Sequence, residues 1–151
     1  MEIINIKNNI LFLKEYIKLC SLEWGSKKTE KEMQNYIKNK LKKVIDGDNV
    51  ISILALVEDA ELIGFISLFK YDYDERKDLT PWYSTMYVKE KFRGRGYSKI
   101  LNDSIIKEAK RLGYRKLYLK TNLNNYYEKF GAQYIEELSN GEKLYFIELI
   151  N

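Results

Sequence analysis

The stretch KFRGRGYSKILND, Lys91 to Asp103, sets two arginines and two glycines directly ahead of a helical hydrophobic pattern. That composition suits an anion. The first N–H groups of a helix have no intrahelical acceptor and lie at the positive end of its dipole, so they hold phosphate if the backbone can come close. Gly94 and Gly96 carry no Cβ to hold a phosphate off and tolerate φ > 0, while Arg93 and Arg95 add positive charge from the flanks. The spacing is not that of a Walker loop, which ends in Gly-Lys-Ser/Thr. Nor is it that of a dinucleotide fingerprint, which needs a third glycine and a downstream acid. A pyrophosphate-bearing ligand is the expectation.

The 151 residues include no histidine and one cysteine, Cys20, which excludes Ser/His and Cys/His nucleophile pairs and an internal disulfide. A thiolate- or imidazole-rich metal site is excluded too, and no metal is expected. Chemistry falls to carboxylates, tyrosines, lysines and backbone groups. Lys89 to Lys120 carries eleven Lys/Arg against Glu90, Asp103 and Glu108, a net of +8 in a chain whose total is +4. The rest is therefore mildly acidic, at −4, and the basic segment points to a phosphate partner.

The elements that must position this turn are legible from periodicity. Glu2 to Ile6 reads as a strand, and Ile10, Leu13, Ile17 and Cys20 recur at helical spacing in a first helix ending near Trp24. On that stripe Cys20 is expected to be a buried small hydrophobe rather than a covalent nucleophile. Thr29 followed by Glu32 is a capping box opening a second helix with Met33, Ile37, Leu41 and Val44 on one face. Val50 to Val57 and Leu62 to Tyr71 read as a hairpin, and the loop from Asp72 to Pro81 is the most acidic stretch. Trp82 to Val88 is a fourth strand, followed by the turn and then a helix with a stripe of Leu101, Ile105, Ala109 and Leu112, closed by Gly113. Arg115 to Thr121 then returns parallel to the fourth strand in a right-handed crossover. A short helix over Asn124 to Phe130 and two last strands, Gln133 to Glu137 and Lys143 to Ile150, finish the chain. One domain over 1–151 is expected, with no signal-like N-terminus or membrane span, hence a cytoplasmic protein without a membrane partner.

Three features together resemble the GNAT superfamily of acyl-CoA-dependent N-acyltransferases. Val88-Lys89-Glu90-Lys91-Phe92-Arg93-Gly94-Arg95-Gly96-Tyr97-Ser98 is similar to the family's V-x-P-x-x-R-G-x-G-x-G/A loop, with Glu90 in place of proline and Ser98 in place of the last small residue. Tyr127-Glu128-Lys129-Phe130-Gly131-Ala132 is similar to its Y-E-K-x-G-F segment, with Ala132 in place of phenylalanine. The order β-α-α-β-β-β-α-β-α-β-β coincides with the family's along the whole chain.

The resemblance implies an α/β layered fold whose mixed, mostly antiparallel sheet of about seven strands has helices on both faces. Its fourth and fifth strands would run parallel and then splay. It further implies acetyl-CoA as co-substrate, with the pyrophosphate on the amides of Arg93, Gly94, Arg95, Gly96, Tyr97 and Ser98. Pantetheine would lie along the backbone of Met86, Tyr87 and Val88, as an added strand would. An amine acceptor is mostly protonated at neutral pH, so acetyl transfer needs a base, oxyanion donors and an acid for the departing thiolate. Tyr127 matches the family's acid position and adjacent Tyr126 is assigned to packing; the oxyanion donors would come from the backbone near Tyr87. Glu23, beside Trp24, is the candidate base, with Asp74, Glu75 and Asp78 as alternatives. The acidic loop is expected to draw a small cationic acceptor such as a polyamine, an aminoglycoside or a lysine-like amine. Trp82 and Tyr83 are read as half-buried core, with stacking on the acceptor as the alternative. Two other readings stand beside this one: a non-catalytic acyl-CoA sensor and, less well supported, nucleic-acid binding through the basic segment. No nucleic-acid partner is expected, because the arginines flank a phosphate loop rather than an aromatic stacking surface. Dimers are common among proteins of the family it resembles, so a homodimer stands open as the assembly, which the sequence does not decide.

Overall fold

The computed structural model describes residues 1–150. In chain order they form β1 (Glu2–Asn5), α1 (Ile10–Trp24), α2 (Glu30–Ile45), β2 (Val50–Glu58), β3 (Glu61–Phe69), β4 (Trp82–Val88), α3 (Tyr97–Arg111), β5 (Lys116–Thr121), β6 (Gln133–Glu137) and β7 (Lys143–Glu148). Caps explain the helix starts. The Asn9 side chain accepts the Phe12 N–H at the head of α1, and Thr29 and Glu32 satisfy each other's backbone N–H groups at the head of α2. Between β2 and β3 the chain reverses through Asp59 and Ala60, both at positive φ, the two-residue turn whose twist matches the flanking strands.

The seven strands make one sheet in the order β1-β2-β3-β4-β5-β7-β6, antiparallel throughout except where β4 meets β5. Two apolar layers cover it. On one face α3 packs Leu101, Ile105 and Ala109 against Leu54, Ile63, Ile66, Leu117 and Leu119. On the other, α1 and α2 set Leu13, Ile17 and Val44 against Ile53, Ala55 and Phe65. Alternation along β2 and β3 sends neighbouring residues to opposite layers, which is why both strands read as nearly continuous apolar runs.

Three expectations are corrected. The helix expected over Asn124 to Phe130 is only a four-residue 3₁₀ turn, Tyr127–Phe130, because Asn125 takes a positive φ that no α-helix accommodates. Leu112 leaves the buried stripe of α3 and is 40% exposed as the helix ends. Trp82 and Tyr83, expected half-buried, are both buried; Trp82 is fully enclosed and its indole N–H donates to the Leu79 carbonyl.

The course of β4 is set by a bulge. Phe65 faces Tyr87 while Ser67 faces Ser84, so three steps along β4 answer two along β3. The extra residue is absorbed at Thr85, whose φ is 47°. Such a bulge bends the strand, and β4 keeps a single register pair with β5, Trp82 with Tyr118.

Candidate active site

Beyond that pair β4 and β5 separate. Tyr118 donates its N–H to Pro81 at 3.0 Å, and after this bond a cleft of about 610 Å³ opens between the strands. It passes through the sheet. Leu117 and Leu119 belong to the layer under α3, so alternation puts Tyr118 and Lys120 on the face of α1 and α2. Tyr83, Met86 and Tyr127 line the cleft from the α3 side, and Asp72, Lys120 and Glu142 line it from the other.

A second cleft of about 380 Å³ begins at the glycine turn and is bounded by Val88, Arg93, Gly94, Gly96, Tyr97 and Ser98. It shares Trp24, Met86 and Tyr126 with the first, so an open channel leads from the turn to Tyr127. Gly94 has φ 78° and Gly96, at the N-cap of α3, has φ 80°. A Cβ built on either would meet nothing within 4 Å, so the backbone there is open, and both glycines line the cleft. Among the described residues no acceptor takes the N–H groups of Gly94, Arg95 or Gly96, and the first amides of α3 have no side-chain cap. The turn therefore offers a row of unspent donors to an anion. Its entry is a 3₁₀ turn at Glu90–Phe92 that leaves the Glu90 side chain exposed, so the carboxylate stays in water.

The β4 backbone is divided by its pairing with β3. Lys89 donates to Ile63 and Tyr87 pairs with Phe65, so Tyr87 turns its peptide groups towards β3. Alternation turns those of Met86 and Val88 into the gap. The Val88 carbonyl is already taken by Arg93 Nε at 2.8 Å, which holds the guanidinium over the Tyr87 ring at 5.5 Å. Arg95 lies 5.8 Å from the Phe92 ring, outside the cleft lining. Met86 and Val88, not Tyr87, are thus the residues whose backbone can pair with an extended ligand or donate to an oxyanion.

Residues 13–132 match the acetyltransferase (GNAT) family. The chain belongs to that family. Among solved structures it is similar to an aminoglycoside 6'-N-acetyltransferase complexed with coenzyme A, at 18% identity and a TM-score of 0.74 over 100% of this chain and 98% of that one. It is also similar to the aminoglycoside 6'-N-acetyltransferase of Enterococcus faecium, at 17% identity, TM-score 0.72 and coverage of 100% and 98%. A third is the PaiA N-acetyltransferase of Thermoplasma acidophilum in complex with coenzyme A, at 18% identity, TM-score 0.66 and coverage of 98% and 99%. Likeness at these identities establishes the fold. No curated protein matches the sequence.

Within this GNAT fold the predicted residues separate into two groups. Tyr127 stands in the through-sheet cleft, edge-on to Tyr83 at 5.7 Å and to Tyr126 at 4.8 Å between ring centres. Burial, reinforced by Tyr126, pushes its phenol up to about 12. Tyr126, read as packing, does pack edge-on against Tyr127 and Phe130, and it also lines both clefts. Glu23 is exposed and lines the cleft of the glycine turn, apart from Tyr127 and beside Arg93 and Gly94. Of the acidic loop, Asp78 pairs with Arg76 at 3.1 Å and Glu75 accepts the Ser139 hydroxyl at 2.6 Å, both at the surface.

The carboxylates that do reach the acetyltransferase cleft are Asp72 and Glu142, with Lys120 Nζ between them at 3.7 Å and 3.3 Å. Burial raises the Asp72 carboxyl above its usual range despite the opposing pull of Lys120 and Ser84. In the sequence Asp72 is only one member of an acidic run. Glu142 lies 70 residues further on in the β6–β7 connection, and no local signal joins the two.

Proposed function

We propose that this GNAT acetyltransferase moves the acetyl group of acetyl-CoA directly to the primary amine of a small cationic acceptor in a ternary complex. The observation that carries the reading is the channel. It has unspent N–H donors at one end, a protonated phenol midway and two carboxylates across the sheet. The glycine turn fits the diphosphate of coenzyme A, and the Met86 and Val88 edge fits the two amides of pantetheine. The acceptor class supported here is a small cationic amine, and two of the similar structures are aminoglycoside 6'-N-acetyltransferases.

The proton and bond balance assigns each group a task. The acceptor enters as an ammonium, which Asp72 and Glu142 favour electrostatically, and must lose one proton before it attacks. Asp72 is the better base than Glu23, because it faces the same cleft as Tyr127 and burial raises its affinity for a proton above that of an ordinary carboxylate. The amine nitrogen then bonds to the thioester carbon while backbone N–H groups of Met86 or Val88 meet the oxyanion. As the C–S bond breaks, the Tyr127 hydroxyl hydrogen-bonds the departing sulfur, and the second proton of the amine, relayed through that hydroxyl, ends on the thiol. The products are an acetamide, a free thiol and one proton.

Thiol release from acetyl-CoA in the presence of a panel of primary amines tests the reading, with calorimetry for CoA binding alongside. Amine-dependent release is expected. Clear CoA binding without release from any amine would instead support a non-catalytic acyl-CoA sensor.

A further inference from the structure

On the α1 and α2 face, a third cavity of about 300 Å³ adjoins the acetyl-transfer cleft, sharing Trp24 and Thr85 with it. That volume is at the lower end of small-molecule sites. Its walls are Tyr16, Ile17, Cys20, Tyr36, Val44 and Phe69. Of their polar groups, those of Tyr16 and Cys20 are used or held protonated, and Tyr36 presents its ring to two ammonium groups. The Tyr16 hydroxyl bonds Ser67 Oγ at 2.7 Å, Thr85 Oγ1 donates to the same Ser67 at 2.6 Å, and burial keeps the Cys20 thiol protonated, up to about 12. No carboxylate lines this cavity among the described residues; its one charged wall residue is Lys40. At the rim, Lys28 and Lys40 bring their ammonium groups 4.4 Å and 5.8 Å from the Tyr36 ring centre. A second cation arriving there meets like charge with no anion in the walls to screen it.

The charge count on the other side of Thr85 agrees. Asp72 and Glu142 already hold Lys120, so two negative charges carry one positive charge and have room for one more. We propose that the acceptor is a monoamine with an aromatic or branched apolar body, its ammonium at Asp72 and Glu142 and its body in the cavity walled by Tyr36 and Phe69. This assignment rests on the acetyltransferase reading and sets the acceptor apart from polycations such as aminoglycosides.

Phenethylamine, methylamine, spermidine and kanamycin are compared as acceptors at saturating acetyl-CoA. Phenethylamine should exceed the other three in kcat/KM by about tenfold or more, the discrimination that burial of a few apolar groups supplies. Equal or better turnover of spermidine or kanamycin overturns the assignment and leaves acetyl transfer standing. Thiol release from none of the four, or from any wider amine panel, overturns both. Tyr36→Ala should raise KM for phenethylamine about tenfold and leave methylamine unchanged; equal effects on the two amines, or none, count against the cavity. Lys40→Glu alters an exposed position and should improve kcat/KM for spermidine while sparing methylamine. Unchanged discrimination there removes the charge argument.

Discussion

Tyr127 keeps its proton at neutral pH because burial, helped by Tyr126, pushes its phenol up to about 12. A thiol ionises several units lower, near ~8.5, so full proton loss from the phenol to the sulfur is uphill and the useful act is hydrogen-bond donation as charge develops. Tyr127→Phe is expected to lower kcat by about 10²-fold or more, with CoA affinity by calorimetry unchanged. Unaltered turnover would take the phenol out of the step. Asp72 is shifted in the direction that holds its proton to higher pH than an ordinary carboxyl, first through desolvation. As a base it works only after that proton leaves, so kcat/KM should rise with pH through the raised value, and Asp72→Asn should abolish that limb. Stability runs the other way. A carboxyl whose folded pKa lies above its unfolded one contributes stability below the unfolded value, and that contribution is lost as pH rises through the folded value. Asp72→Asn should therefore melt no lower than the parent at pH 7, separating a catalytic loss from a folding defect.

Two elements aim the chemistry, and they differ in how visibly they do so. The glycine turn announces itself because a residue without Cβ takes a positive φ at no steric cost. Gly96→Val strains the N-cap of α3 and fills the space in front of the free amides. The expected outcome is severe loss of CoA affinity by calorimetry; wild-type affinity would end the phosphate-cradle argument. The β4 bulge carries no such mark. Thr85 is β-branched, a residue type at home in strands, yet it sits at φ 47°, a conformation that costs of order 1–3 kcal/mol. Hydroxyl bonds to Ser67 and Tyr16, from β3 and α1, hold it there. Those partners lie 18 and 69 residues away, beyond the reach of any local pattern.

Over the whole molecule the charge is asymmetric, and of the basic segment from Lys89 to Lys120 it is Arg93 that lines the anion-binding end of the channel. Exposed charges act over about 10 Å at 0.1 M salt and much less at higher ionic strength. Raising ionic strength should therefore increase KM for acetyl-CoA several-fold, on the order of what electrostatic steering supplies, and leave KM for a monoamine far less affected. A KM for acetyl-CoA indifferent to salt would confine the interaction to the turn's own dipoles. Of the acidic loop, Asp78 and Glu75 are engaged at the surface, and Asp72 is the member that lines the cleft.

What the sequence determined alone is whatever depends on neighbours along the chain: the strand and helix order, the capping box at Thr29, and the glycine turn at Gly94 and Gly96. Short-range sterics and hydrogen bonding dictate these within a few residues. Only the tertiary structure decided which carboxylate meets the amine, which β4 backbone groups face the gap, and where an apolar body can lie. Asp72, Lys120 and Glu142 converge from three separate segments, and Met86 and Val88 face the cleft only because β4 pairs with β3 and then bends away from β5. Burial and pairing across the sheet set these outcomes, and neither is written in any one stretch of chain.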